Sequence, residues 1–82
     1  MDGPEFDPDV LRKRIRQLRE EQGLTRAAFA RFVGGTIGSN VTWWERGDRI
    51  PSAYYCFQIA SACEVSADWL LGLTDERTAL RR

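Results

Sequence analysis

Apolar residues recur at helical spacing along most of this chain, and glycines or short polar residues break the recurrence into five stretches. Val10, Leu11, Ile15 and Leu18 predict a first helix near 10–22, with Asp9 as its N-cap and Gly23 as its stop. Thr25 is placed to cap a second, short helix whose inner face is Phe29, Ala30 and Val33, ended by Gly34 and Gly35. Val41 and Trp44 mark a third helix that stops at Gly47. The loop Arg49-Ile50-Pro51-Ser52 leads to an N-cap and a fourth helix, with Cys56, Ile59, Ala60 and Cys63 inward. Ser66 caps a last helix whose apolar face is Trp69, Leu70 and Leu73. No stretch alternates with the period of a strand and no internal repeat occurs, so the fold class is all-α, a compact bundle of five helices. The first nine residues hold two prolines, a glycine and four acids without periodicity, and read as a flexible acidic arm. The expected division is residues 1–9 as arm, 10–74 as domain and 75–82 as C-terminal tail.

At 82 residues there is room for one small domain and no separate catalytic lobe, so function is expected on the surface. No run approaches the roughly 18 apolar residues of a membrane span, and the N-terminus lacks a signal-peptide pattern. The reading is a cytoplasmic protein with no membrane partner. Cys56 and Cys63 lie two turns apart on one helix, roughly 10 Å between Cα atoms, too far for a disulfide. There is no histidine and no Cys-x-x-Cys, so no metal or cofactor is expected and an enzyme is not the reading.

The net charge of zero conceals a strong asymmetry. Residues 10–49 carry nine arginines and lysines against four acids, a local charge of +5, while the arm is purely acidic. That places a positive field over the middle helices and suits a polyanionic partner.

Three pieces carry a family resemblance: LTRAAFARFVG from Leu24, VTWWERGDRIPS from Val41, and VSADWLLGL from Val65. Together they resemble the Cro/CI-type (XRE) helix-turn-helix family, which includes phage repressors and many bacterial regulators. The match runs from Leu24 to Leu71, and the first helix fits the same pattern. It implies a lambda-repressor-like bundle that binds double-stranded DNA, with the third helix in the major groove. Ala30 is then the small residue at the crossing of the two motif helices, and Gly34 supplies the turn.

This sequence departs from the family pattern twice. The turn GGTIGSN holds one residue more than usual, which leaves Thr36 or Ser39 as N-cap of the third helix and Ile37 either core or exposed. Glu64 stands where the family usually has a helix-closing glycine, which predicts a differently shaped or mildly strained corner.

The resemblance implies base-edge contacts from Gly38, Ser39, Asn40 and Trp43, with Asn40 able to pair bidentately with adenine. Trp43 would face outward, toward a thymine methyl or deoxyribose, a neighbouring side chain or a protein surface. Phosphate contacts are implied for Arg26, Arg46, Arg49, Ser52 and Tyr54. Arg19 and Glu45 would form a partly buried ion pair joining the first and third helices. The family habit of pairing two copies on a pseudo-palindrome implies a homodimer; of the apolar residues Trp69, Leu70, Leu73 and Leu80 some must also close the core, and Leu73 and Leu80 are placed at the interface ahead of Trp69 and Leu70. A repressor is the expected role. The competing reading is a protein-interaction module of the same fold, such as an antitoxin or antirepressor-like partner.

Overall fold

The structure is a computed structural model and describes residues 5–78. Five helices account for the architecture: α1 (Pro8–Glu21), α2 (Arg26–Val33), α3 (Gly38–Arg46), α4 (Ala53–Cys63) and α5 (Ala67–Leu71). Among the described residues the fold is all-α, as the periodicity predicts.

Helix α1 begins earlier than the sequence suggests. Asp7, not Asp9, is the N-cap, and its Oδ1 accepts the Asp9 N–H at 2.9 Å. Pro8 fits the first turn because the N–H it lacks would have had no helical partner there. The buried stripe is Leu11, Ile15 and Leu18, one position C-terminal to the expected start at Val10, which is only half-buried. Spacing of four and then three keeps those residues on one face.

Short polar caps set the starts of three further helices. Thr25 accepts the Ala28 N–H at 3.1 Å, Ser52 accepts that of Tyr55 at 3.4 Å, and Ser66 that of Trp69 at 3.2 Å. Phe29, Ala30 and Val33 of α2, Val41 and Trp44 of α3, and Cys56, Ile59 and Ala60 of α4 meet the α1 stripe in one core, closed by Val65, Trp69 and Leu70. Cys63, expected inward, is half-buried. Both cysteines are free, and burial pushes the Cys63 thiol up to about 11 and that of Cys56 upward too, so neither is a thiolate at neutral pH.

Helix α4 ends on Glu64 in the left-handed region at φ 56°, the conformation for which glycine is the usual residue. A non-glycine residue there costs about 1–2 kcal/mol, which is the strain expected of this corner. After α5 the chain returns across it: Val65 and Thr78 form an antiparallel bridge, and the Ser66 N–H donates to the Arg77 carbonyl at 2.9 Å. The return is clamped to α1 by two arginines. Arg14 donates to the carbonyls of Trp69 and Thr74 and to Asp75, with its guanidinium 4.7 Å from the Trp69 ring centroid. Arg77 covers the same ring at 5.1 Å and pairs with Glu21. Arg14 therefore serves packing and is not one more solvated charge on a basic face. Among the described residues, no helix is long and apolar enough to cross a membrane.

Candidate nucleic-acid interface

Helices α2 and α3 cross at Gly38. A Cβ built there would stand 3.1 Å from Ala27 Cα and 3.2 Å from Ala27 N, closer than backbone atoms ordinarily tolerate. Glycine at this position lets the two helices approach, a role the sequence assigned to Ala30 alone; Ala30 is also buried. The missing Cβ points at α2, so Gly38 can offer a ligand only its backbone.

The longer turn is held from outside the motif. Gly34 and Gly35 have φ of 89° and 73°. Tyr55 Oη donates to the Gly35 carbonyl at 3.0 Å, and Gln58 Nε2 donates to the Val33 carbonyl at 3.4 Å. A side chain on Gly35 would come within 2.9 Å of Tyr54 Oη. These tethers fix the loop against α4 and so decide where α3 begins.

Neither Thr36 nor Ser39 caps α3. The N-cap is Ile37, which provides no side-chain hydrogen bond, and its side chain is 63% exposed. Thr36 instead accepts from Asn40 Nδ2 at 2.8 Å through its hydroxyl oxygen. An amide nitrogen carries two hydrogens, so this bond leaves Asn40 Oδ1 and one N–H for another partner. Ser39 is exposed and Asn40 half-buried. Trp44 is buried against Tyr55, their ring centroids 5.2 Å apart, while Trp43 is half-buried with the Arg49 guanidinium 4.0 Å from its centroid.

The angle of α3 is fixed by an ion triad. Arg19 Nε and Nη2 meet Glu45 Oε2 and Oε1 at 2.6 and 2.9 Å, a bidentate fork, and Arg26 Nε reaches Oε1 at 3.3 Å. The Glu45 side chain is 2% exposed and that of Arg19 14%. Arg19 Nη1 also donates to the Leu24 carbonyl at 3.0 Å, tying the end of α1 to the start of α2. The Glu45 carboxylate holds the Arg19 guanidinium above its ordinary value.

Around this frame stand the remaining basic and polar residues. Arg26 is 43% exposed despite its pairing, Arg46 is exposed and pairs with Asp48 at 3.2 Å, and Arg49 leans on Trp43. Ser52 is occupied as a cap, and Tyr54 stands exposed on the first turn of α4, beside the turn before α3. Away from them, Leu73 and Phe6 are exposed and, with Glu5, Leu71 and Gly72, line a shallow apolar cavity of about 190 Å³. Leu80 lies outside the described residues.

Helix α2, a tight turn and α3, pinned on α1 through Glu45, make a helix-turn-helix, and the family model described as helix-turn-helix matches residues 15–70. The chain belongs to the Cro/CI-type helix-turn-helix family. This Cro/CI-type protein is also similar to the uncharacterized HTH-type transcriptional regulator YazB of Bacillus subtilis (strain 168), with 34% identity over 65 residues, 79% of this chain and 93% of the relative. No solved structure matches it.

Several bonds that hold this surface were not anticipated from the sequence. The Thr36–Asn40 bond was signalled by their i, i+4 spacing, whereas the hold of Tyr55 and Gln58 on the turn joins residues 20 and 25 positions apart, with no local signal.

Proposed function

We propose that this protein regulates transcription, as a repressor, by binding a specific double-stranded DNA site as a homodimer. The observation that carries the reading is the bidentate Arg19–Glu45 fork, which holds α3 rigidly by its inner face and leaves Ser39 and Asn40 on its first turn free of the core. Such a helix fits a B-DNA major groove, which is about 12 Å wide. The Asn40 carboxamide has the donor and acceptor that adenine requires on adjacent atoms. Gly38 adds backbone, and Arg26, Arg46, Arg49, Ser52 and Tyr54 border α3 from the neighbouring elements with groups that suit phosphate. The local charge of +5 supplies the sequence-independent attraction.

One module of this size covers too little DNA for tight specific binding, so two copies reading half-sites about one helical turn apart are required. Leu73 is assigned to the contact between copies, with Leu80 beyond the described residues. Selection of bound sites from a random duplex library tests the whole reading. An inverted repeat with half-sites about 10–10.5 base pairs apart is expected. Enrichment of no sequence would refute specific binding, and enrichment of a single half-site bound by one copy would refute the homodimer.

A further inference from the structure

We propose that Trp43 is a platform that orders the Arg49 guanidinium for a phosphate of the DNA backbone, setting affinity for any duplex without choosing a base. The inference rests on the reading of Arg49 as a phosphate ligand and assigns Trp43 a different task from base contact.

The arrangement follows from the end of α3. Gly47 closes the helix in the left-handed conformation at φ 82°, so the chain turns back over its last turn. The N–H groups of Asp48 and Arg49 both point at the Trp43 carbonyl, at 2.9 and 3.4 Å. Residue 49 is thereby brought over residue 43, and its guanidinium lies 4.0 Å from the indole centroid, close cation–π contact. Backbone and side chain of Arg49 are both tied to one tryptophan.

Charge pairing singles Arg49 out from its neighbours. Arg26 is engaged by Glu45 and Arg46 by Asp48. Among the described residues no carboxylate pairs with Arg49. Stacking uses the face of a guanidinium and leaves its in-plane N–H fork open, the edge that binds phosphate bidentately. A free arginine would lose rotamer freedom on reaching a phosphate, and one already laid on an indole loses less. The indole face turned to Arg49 is correspondingly closed to a thymine methyl.

The experiment uses the full chain with a random-sequence duplex and with a site selected from a random library, each titrated over a series of salt concentrations. Arg49→Ala is expected to weaken both duplexes alike and to lower the slope of log affinity against log salt by about 1 per bound copy, about 2 for the homodimer. Trp43→Leu, which keeps an apolar side chain, is expected to weaken both by about two- to fivefold per bound copy with a slope shifted the same way, the worth of an exposed cation–π contact. The double variant should bind no worse than Arg49→Ala alone. Trp43→Phe, keeping a smaller ring, should fall between wild type and Trp43→Leu, and it carries the test should the leucine variant fail to melt cooperatively. Losses that add, or a Trp43→Leu protein that changes its preferred base while holding random duplex normally, would overturn the platform. An Arg49→Ala protein with unchanged affinity and slope would remove the phosphate reading and the platform together. Normal binding by Trp43→Leu and by Trp43→Phe beside a weakened Arg49→Ala would remove the platform alone.

Discussion

Changing Glu45 to alanine takes away the acceptor of hydrogen bonds at 2.6, 2.9 and 3.3 Å and leaves the Arg19 side chain, 14% exposed, with only the Leu24 carbonyl. Stranding one member of a fully buried pair costs about 3–5 kcal/mol. The surviving carbonyl contact and the residual exposure place Glu45→Ala at the lower end, about 3 kcal/mol. Arg19→Met strands the more deeply buried partner, Glu45 at 2% exposed, but Arg26 still reaches it, so a loss of about 3–4 kcal/mol is expected. In Arg19→Met/Glu45→Ala neither charge is stranded and Arg26 can turn to water, so the loss should fall well short of the sum of the two single losses. The assay is urea unfolding followed by circular dichroism on the four proteins. Each kcal/mol should also move Tm by about 4–8 °C in a domain of this size. Single losses that add to within about 0.5 kcal/mol in the double variant would refute the coupling. So would a Glu45→Ala protein destabilised by less than about 1 kcal/mol, since a surface pair would do as little.

Gly38→Ala should destabilise by about 1–3 kcal/mol, because the added methyl meets the Ala27 backbone at 3.1 Å; a thermal melt no lower than wild type would show that α2 and α3 can separate freely. Asn40→Ala should relax preference at one base pair per half-site by about 1–3 kcal/mol, and Thr36→Val, which removes the 2.8 Å hydrogen bond at constant shape, should relax the same base pair less, while Thr36→Ser preserves it; binding-site selection with each variant is the check. Arg77, with help from Gln17, holds the Glu21 carboxyl down at about 2. A depressed acid stabilises the fold above its ordinary pKa near 4.5 and loses that contribution as pH falls toward 2. With both side chains about 40% exposed the amount is about 1 kcal/mol or less, so stability of wild type and Arg77→Ala should differ at pH 6 and converge near pH 2 in a series of melts.

The helices whose starts the sequence locates correctly, α2, α4 and α5, are those with a hydroxyl cap, since a single short side chain one residue before an apolar repeat decides the start locally. For α1 the sequence points to Asp9 as the cap, whereas Asp7 caps it, because Pro8, which looks like a breaker, is at home in a first turn. The start of α3 was not legible because Ile37 is a cap without a capping group; Tyr55 and Gln58 set the position by holding the turn from another helix. Arg19 and Glu45 form the fork expected from the resemblance, but Arg26 as its third member was not foreseen. Nor was the Arg14 and Arg77 enclosure of Trp69, because the residues involved come from opposite ends of the chain.

That enclosure bears on how the protein is made. Its bonds join residues 14 and 21 to residues 69, 74, 75 and 77, sequence separations of 55 to 61. Local helices form in microseconds or faster, whereas a ribosome adds about 5–20 residues each second. During synthesis the segment of α1 therefore waits for seconds while the partners of Arg14 and Glu21 are not yet translated. The motif is held only once α4 has emerged to tether its turn through Tyr55 and Gln58, and the last seal on α1 forms only after residue 77 is outside the ribosome. A nascent chain stalled between those two points should carry the Arg19–Glu45 fork and the tethered turn, with the contacts of Arg14 to the return still unmade.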